Sequence, residues 1–161
     1  MSRGIRRRSG SRGFTIAELI TVCAIITILA AVALPVAKFG YRRQKEIQLR
    51  DTLRRITDAI DRWHDYKVNN RIKAQFSIDQ GDYPKELDDL TKVMELQPDG
   101  KKIRLLRERD LLDPMTGKKE WNTLSSTDDP DAQSGSSNNV FEVHSKSTAL
   151  SLDGKTHYNE W

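Results

Sequence analysis

The first 68 residues change from polar to uniformly apolar and then to a repeating apolar stripe. Residues 1–13 are basic and polar, whereas the 19 residues from Leu19 to Ala37 carry no charged side chain. Beyond them, apolar residues recur at alternating spacings of four and three: Leu49, Leu53, Ile56, Ile60 and Trp63. Such a stripe is typical of an amphipathic helix. The pattern predicts one long helix from about Phe14 to Val68, half apolar and half amphipathic.

The helix face opposite the stripe is charged. Four pairs of opposite charge lie four residues apart, and Glu46 with Arg50 is the first of them. Pairs at this spacing contribute about 0.2–0.5 kcal/mol each and are typical of a solvated face. Asn69 and Asn70 then predict the end of the helix.

Short segments separated by turns follow the helix. Gly81–Leu90 predicts a turn before a short helix, with Pro84 near the first helical position. Lys101–Leu106 predicts a short strand. Asp113–Gly117 is a turn dense in residues that interrupt regular structure.

The C-terminal third of the chain begins with a polar loop over residues 125–139. Val140–His144 is the best strand candidate, with Phe141 and Val143 on one face. Leu150–Leu152 is predicted to pair with this strand. The expected result is a small antiparallel sheet.

The tail from His157 to Trp161 contains two large aromatic side chains, which predict a docked tail. Helix, strands and tail together predict an α+β fold. A long N-terminal helix, with a transmembrane half and an amphipathic half, packs on a small C-terminal antiparallel sheet with loops.

Basic charge is concentrated at the N-terminus. The 161-residue chain has a net charge of +4; residues 1–13 carry five arginines and no acid, and the rest holds 22 basic and 23 acidic residues. The basic excess therefore belongs to the leader, and a nucleic-acid partner is not expected.

No catalytic motif stands out. Cys23 is the only cysteine, so neither an internal disulfide nor a cysteine-based metal site is available. The three histidines lack the i, i+4 spacing of a helical metal site, and there is no glycine-rich phosphate loop or nucleophile elbow. The chain is therefore not expected to be an enzyme.

The uncharged stretch is long enough to cross a membrane. A bilayer core of about 30 Å needs about 20 helical residues, and the five upstream arginines favour a cytoplasmic N-terminus. A secretory signal peptide is one alternative, because Ala31–Ala33 fits a small-x-small cleavage site. A plain membrane anchor is another. Neither alternative explains Glu18, a carboxylate within the apolar run.

Glu18 belongs to a short motif. The segment Gly13–Leu19, GFTIAEL, resembles the cleavage and methylation signature of type IV pilins and of type II secretion pseudopilins. The resemblance implies that a membrane-embedded prepilin peptidase cuts after Gly13. It also implies that Phe14 becomes the N-methylated first residue of the mature chain. Pro35 falls where many members of the family carry a helix-bending proline.

The same resemblance gives Glu18 a partner. A lone carboxylate within a membrane costs about 2.5–3.5 kcal/mol on insertion scales, and cutting after Gly13 creates an ammonium group at Phe14. As the resemblance implies, Glu18 pairs in a filament with the Phe14 amine of a neighbouring subunit. This hypothesis makes the pair a device that fixes axial register rather than a source of stability.

Other segments extend the resemblance to nearly the whole chain. Asp113–Trp121, with the pattern D-P-M-T-G-x-x-x-W, and Val140–Trp161 are most similar to the major (G-type) pseudopilin of the bacterial type II secretion system. The resemblance implies a pilin-like fold in three parts. These are a cleaved basic leader at 1–13, a transmembrane and filament-core helix at 14–39, and a periplasmic globular domain at 40–161 that includes the second half of the helix.

The family resemblance implies a structural function. The chain is expected to cross the bacterial inner membrane once, with a cytoplasmic N-terminus and a periplasmic C-terminal domain. Copies of it are expected to form a helical filament, the periplasmic pseudopilus, which drives protein export across the outer membrane. Expected partners are the prepilin peptidase, other pseudopilins and the inner-membrane assembly platform. The alternatives are a major or minor type IV pilin for adhesion, motility or DNA uptake, and a membrane-anchored periplasmic binding module.

Major pseudopilins commonly bind calcium near the C-terminus, so the resemblance also implies a calcium site. Calcium takes six to eight oxygen ligands. The carboxylates expected to supply them are those of Asp128, Asp129, Asp131 and Asp153. No other cofactor is expected.

Overall fold

The chain divides into two compact units, Met1–Gly40 and Tyr41–Trp161. The computed structural model describes residues 13–72, 81–129, 132, 135–136 and 138–161. From Ile16 onwards the first unit is helical, and the second holds the rest of that helix and all of the described strands.

The long helix, α1, runs without interruption over 53 residues, Ile16–Val68. It ends where Asn70 adopts a φ of 52°, in the left-handed region that asparagine tolerates better than most residues. The side chain of Asn69 also donates to the carbonyl oxygen of Asp65 at 2.7 Å. The predicted helix and its end at Asn69 and Asn70 are confirmed.

The amphipathic half of α1 supplies the centre of the core of the second unit. Leu53 is partly buried, and the other stripe residues are fully buried: Leu49, Ile56, Ile60 and Trp63. The same core cluster includes apolar residues from the later segments: Leu90, Leu96, Leu106, Leu111, Trp121, Val143 and Tyr158. The predicted stripe is therefore the face on which the rest of the unit packs.

In the part of the chain that the structure describes, four short strands form two antiparallel sheets of two strands each. Strand β1 (Met94–Leu96) pairs with β2 (Lys101–Ile103), and β3 (Trp121–Leu124) pairs with β4 (Glu142–Ser145). The described residues also form three short 3₁₀ helices: Leu87–Thr91 before β1, Glu108–Leu111 between β2 and β3, and Tyr158–Glu160 after β4. A long N-terminal helix followed by small antiparallel sheets confirms the α+β, pilin-like fold class, with two sheets in place of the single one expected.

The helix predicted after Pro84 begins later than expected. Its first residue is Leu87, three positions beyond the proline, because Glu86 and Asp89 form a capping box there. The backbone N–H of Glu86 donates to Asp89 Oδ2 at 3.1 Å. Capping by side chains, not the fixed φ of proline, therefore sets this helix start.

The two strands predicted from sequence are shorter than expected. The strand predicted at 101–106 ends at Ile103, and its partner β1 was not predicted. The strand predicted at 140–144 begins at Glu142. Val143 is buried but Phe141, which precedes the strand, is 45% exposed. The rings of Phe141 and Tyr83 are nearly perpendicular, with their centres 5.1 Å apart.

The pairing predicted for Leu150–Leu152 is wrong. Leu150 forms an isolated antiparallel bridge with His157, whereas β4 pairs with β3 in the register Trp121 to Ser145. Trp121 is buried and its indole N–H donates to the Leu111 carbonyl oxygen at 2.8 Å. Burial of this large side chain favours β3 as the partner of β4. The docked tail is confirmed, since Tyr158 is only 2% exposed.

A buried carboxylate ties the predicted turn at residues 113–117 to β4. Asp113 is fully buried and accepts hydrogen bonds from Met115 N–H at 2.7 Å and Thr116 Oγ1 at 3.1 Å. It also accepts one from the Ser145 hydroxyl at 2.7 Å. Three donors compensate for the loss of water around this charge.

Replacing a buried isoleucine of the stripe should destabilise the second unit far more than replacing an exposed one. Ile56 is fully buried and Ile47, also on α1, is 55% exposed. We expect Ile56→Ala to lower the free energy of unfolding by about 2–4 kcal/mol and Ile47→Ala by less than about 1 kcal/mol. Denaturant unfolding of the full chain in mild detergent, followed by tryptophan fluorescence, measures both. Equal losses would contradict this account of the core.

Candidate functional site

The bond expected to be cut lies in an open segment before α1. Residues 13–15 precede the first helical residue, Ile16. Phe14 is 83% exposed, and a Cβ placed on Gly13 would meet no atom within 4 Å. Exposed, non-helical backbone of this kind is accessible to a peptidase. Residues 1–12 of the expected leader lie outside the described residues.

Thr15 and Glu18 form the first turn of α1. The backbone N–H of Glu18 donates to Thr15 Oγ1 at 3.2 Å, so Thr15 caps the helix. Glu18 is the acidic residue of that turn, where the helix dipole favours negative charge. The T-x-x-E spacing is the sequence signal of a capping box, and the sequence prediction missed it.

The remaining polar groups in the apolar half of α1 bond within the helix. Thr21 Oγ1 donates to the Ala17 carbonyl oxygen and Thr27 Oγ1 to the Cys23 carbonyl oxygen, each at 2.8 Å. A hydroxyl that donates to the carbonyl four residues earlier is compatible with a lipid environment, because no donor is left without an acceptor. The threonines therefore do not argue against a membrane span.

The apolar half of α1 is fully exposed within its own chain. Its 18-residue window has a mean hydropathy of 2.7 and none of the window is buried. Large side chains such as Ile16, Leu29 and Val36 expose 65–79% of their surface. Among the described residues, α1 is the one helix long and apolar enough to cross a membrane. An apolar surface of this extent needs lipid or other protein to cover it.

Pro35 lies inside α1. Proline has no backbone N–H, so the carbonyl oxygen of Ala31 has no i+4 donor at this point. The helix continues through the position to Val68. The kink expected at Pro35 stays a prediction.

The first turns of α1 within the second unit hold the C-terminal segment in place. Arg42 Nη2 donates to the Leu150 carbonyl oxygen at 2.8 Å. Glu46 Oε1 accepts bonds from the Leu152 N–H at 2.6 Å and the Tyr158 hydroxyl at 2.8 Å. Burial, with a smaller contribution from the bond to Glu46, raises the pKa of Tyr158. We call these contacts the C-terminal clamp.

Arg50 completes the C-terminal clamp. Its guanidinium lies 4.4 Å from the centre of the Trp161 ring, a cation–π distance. The His144 ring nitrogen Nδ1 lies 2.8 Å from the Trp161 carbonyl oxygen. Glu46 and Arg50, expected to pair with each other, thus both bind the tail instead.

Of the expected calcium ligands, Asp128 and Asp153 lie in separate turns. Asp128 Oδ2 accepts the N–H groups of Ser125 and Ser136 at 2.7 and 2.8 Å. These two hydrogen bonds from the backbone lower the pKa of Asp128, and the bond from Ser125 has the larger effect. Asp129 is exposed beside it, and Asp131 lies outside the described residues.

Asp153 stands in the turn between Ser151 and Thr156. Its carboxylate accepts bonds from the Ser151 hydroxyl, from the Lys155 and Thr156 N–H groups and from the Thr156 hydroxyl. Across the described part of the chain, no group of three or more His, Cys, Asp or Glu side chains could hold a metal ion. The described carboxylates alone therefore do not fit the six to eight oxygens of a calcium site, which stays a prediction.

Comparison with known proteins identifies the N-terminal segment. Residues 8–34 match the model of the family described as prokaryotic N-terminal methylation motif. This match covers Gly13, Phe14 and Glu18 and α1 as far as Leu34, and it supports a type IV pilin-like prepilin signal. Searches of curated proteins and of solved structures found no match.

Asp153 should make stability depend on acid pH. The hydrogen bond from the Ser151 hydroxyl is the largest of the causes that hold the pKa of Asp153 well below its usual value. Because the pKa of Asp153 is lower in the folded state, its ionised carboxylate stabilises the fold at pH values above its unfolded-state pKa, which is about 3.9. It is lost as the pH falls through the folded-state value.

We therefore expect the melting temperature of the wild type to fall between about pH 4 and pH 2. Asp153→Asn should reduce that fall, whereas Asp61→Asn, at an exposed position of α1, should leave it unchanged. Thermal unfolding of the full chain in detergent at a series of pH values measures this. A pH dependence identical in wild type and Asp153→Asn would contradict it.

Proposed function

We propose that this chain, whose N-terminus carries a type IV pilin-like prepilin signal, is a structural subunit of a type II secretion pseudopilus. The observation that carries the proposal is the match of residues 8–34 to the methylation motif, at the head of a helix that is apolar and exposed over its first half. The family to which this motif belongs is structural rather than enzymatic. The chain itself would perform no chemistry.

Maturation would begin with hydrolysis of the Gly13–Phe14 bond by a prepilin peptidase. Water adds across the bond, leaving a carboxylate on Gly13 and a new amine on Phe14. Methyl transfer to that nitrogen from a methylsulfonium donor would follow, with loss of one proton from the amine and release of the donor as a thioether. The cut leaves Thr15 in place, so the cap on the Glu18 N–H survives processing.

Assembly would exchange lipid for protein around the apolar half of α1. Lipid tails are as apolar as the side chains, so the driving force is close packing of helices rather than removal of surface from water. We expect the work of lifting subunits from the membrane to come from a cytoplasmic assembly ATPase acting through the inner-membrane platform. Other pseudopilins would join the same filament, and no nucleic acid would be involved.

Glu18 would set the register of that packing. In the membrane, its carboxylate lies in the first turn of α1, where unpaired N–H groups lessen the cost of the charge. In the filament, the methylated amine of Phe14 on a neighbouring copy would replace these N–H groups as the partner of the Glu18 carboxylate. A single charged pair in an apolar interface penalises every other axial offset.

The proposed location is the bacterial inner membrane, with the second unit in the periplasm. The arginine-rich leader supports a cytoplasmic N-terminus. The rival within the same family is a type IV pilin, and the rival outside it is a membrane-anchored periplasmic binding module. Cys23 is the only cysteine, so the C-terminal disulfide frequent in type IV pilins is absent, which favours the pseudopilin.

Mass spectrometry of the mature N-terminus tests the proposal most directly. We expect a chain that begins at Phe14 and carries one N-methyl group, 14 Da heavier than the cleaved chain alone. A plain anchor would begin at Met1, and a secretory protein would begin after Ala33. Either of these results would contradict the proposed function.

Substitutions of Glu18 separate its charge from the size and polarity of its side chain. Gln matches Glu in size and polarity but has no charge, whereas Asp keeps the charge. We expect Glu18→Gln and Glu18→Ala to lower the filament yield by about tenfold or more, because an amine would be left unpaired in an apolar core. We expect Glu18→Asp to lower it less.

Filaments counted by electron microscopy, in cells whose subunits are shown to be cleaved after Gly13, give the readout. Thr15→Ser, which keeps the capping hydroxyl, is the matched control. If Glu18→Gln subunits assembled as well as wild type, the charge pair would be excluded.

A further inference from the structure

Basic residues are concentrated in α1 directly after its uncharged stretch. Residues 38–45, which we call the basic segment, hold four basic residues and no acid: Lys38, Arg42, Arg43 and Lys45. The remainder of the helix, from Glu46 to Val68, holds five basic and five acidic residues. The net positive charge of α1 therefore comes from the basic segment alone.

The charges of the basic segment are not neutralised within the described part of the chain. None of its four basic side chains forms an ion pair there. Arg42 donates to the carbonyl oxygen of Leu150, and Lys45 Nζ lies 5.2 Å from the centre of the Tyr41 ring. Both of these partners are uncharged. Like charges this close together repel one another and attract an anionic partner.

The next acid along the helix is already engaged elsewhere. Glu46 Oε1 accepts hydrogen bonds from the Leu152 N–H and the Tyr158 hydroxyl, as part of the C-terminal clamp. Lys38 and Arg43 are both exposed. The basic segment is therefore open to an anion from outside the chain.

The position of the basic segment along α1 indicates which anion it would meet. The 19 uncharged residues from Leu19 to Ala37 extend over about 28 Å at about 1.5 Å per residue, close to the bilayer core of about 30 Å. The headgroup layer on each side of that core is about 5–7 Å thick. Lys38 lies about 2 Å and Arg43 about 9 Å beyond Ala37 along the helix axis, and their flexible side chains can reach the interface. The anions at this depth are lipid phosphates.

Two exposed aromatic side chains accompany the basic residues. Phe39 and Tyr41 expose 63% and 61% of their surface. Tyrosine is enriched at membrane–water interfaces, where its ring contacts apolar chains and its hydroxyl faces the headgroups. These rings favour a lipid surface over a dissolved anion as the partner, because a dissolved anion offers nothing apolar for them to contact.

We propose that the basic segment binds the headgroups of anionic phospholipids, in which no cationic group compensates the phosphodiester. Its guanidinium and ammonium groups donate charge-assisted hydrogen bonds to the phosphate oxygens. A phosphatidylcholine headgroup carries its own cation, so its net charge is zero and it competes poorly. The inference rests on the membrane location given in the proposed function, and it adds the class of lipid that the chain selects.

Native mass spectrometry of the full chain tests the lipid preference. The protein is purified in mild detergent and mixed with equal amounts of phosphatidylglycerol and phosphatidylcholine that have identical acyl chains, and the bound lipids are identified by mass. We expect at least fivefold more bound phosphatidylglycerol, since each basic residue near an anionic surface favours binding about fivefold. So that the leader cannot supply the preference, its five arginines are replaced by glutamine in every sample: Arg3, Arg6, Arg7, Arg8 and Arg12.

Neutral substitutions locate the preference in the basic segment. The triple variant Lys38→Gln, Arg43→Gln and Lys45→Gln should bind the two lipids within about twofold of each other. Arg42 is left unchanged because it belongs to the C-terminal clamp. An unchanged melting temperature in detergent shows that the triple variant is folded, and the charge-conserving variant Lys38→Arg with Lys45→Arg should keep the full preference.

A matched control removes the same number of charges from other positions. Arg54→Gln, Arg62→Gln and Lys101→Gln replace three basic residues that are also exposed. This control should keep the full preference for phosphatidylglycerol. A control that loses the preference as completely as the triple variant would overturn the inference, because net charge and not the basic segment would then select the lipid.

Several other results would overturn the inference as well. They are equal binding of the two lipids by the parent chain, and a preference that survives in the triple variant. Displacement of the bound lipid by a tenfold excess of inorganic phosphate would identify a free anion as the ligand. In cells, a photoreactive amino acid in place of Arg43 that crosslinks solely to protein would identify an acidic protein instead.

The outcomes also separate this inference from the proposed function. Filaments of subunits cleaved after Gly13 that show no lipid preference would overturn the inference alone. A mature chain that begins at Met1 and still selects phosphatidylglycerol would overturn the proposed function and support the inference. A mature chain that begins after Ala33 would overturn both, since too little of the uncharged stretch would remain to cross a membrane.

Discussion

Packing on the buried stripe of α1 holds the whole second unit together. Each sheet has only two strands of three or four residues, and isolated two-stranded sheets are marginally stable at best in water. Both sheets and the tail become stable by burying apolar side chains against Leu49, Ile56 and Ile60. At its other end the same helix is apolar, exposed and long enough to cross a membrane. One continuous element thus has an apolar half and an amphipathic half, and only the amphipathic half is covered by the chain itself.

Periodicity predicted most of the fold because α1 is long and its signals are local. The stripe, the helix end at Asn69 and Asn70 and the docked tail all follow from spacing or side-chain type. Strand pairing did not follow. Both the segment at Leu150 and β3 could pair with β4. A strand of three or four residues is too short for its sequence pattern to show which pairing buries more apolar surface. Burial of Trp121 decided that competition.

The methylation motif was readable from the sequence because its most specific part is a short linear segment, Gly13–Leu19. The hydrogen bond from the Glu18 N–H to the Thr15 hydroxyl is also local, and the T-x-x-E spacing indicates it. It was not predicted, because the prediction considered only the charge of Glu18 and a partner on another subunit. The C-terminal clamp was beyond prediction. Glu46 and Arg50 have opposite charges four residues apart, so the sequence predicts that they pair with each other. In the folded chain Glu46 binds the Leu152 N–H and Arg50 lies over the Trp161 ring instead.

The C-terminal clamp has a consequence for the order of folding. Its three hydrogen bonds join α1 to residues between 106 and 112 positions further along the chain, and contacts this distant in sequence form late because a long loop must first close. The part of the second unit that directly follows the apolar half of α1 in the sequence is made early but completed last. A chain whose last residues have not yet been made therefore lacks its clamp, and this stretch of α1 gains its partners only when the C-terminal segment arrives.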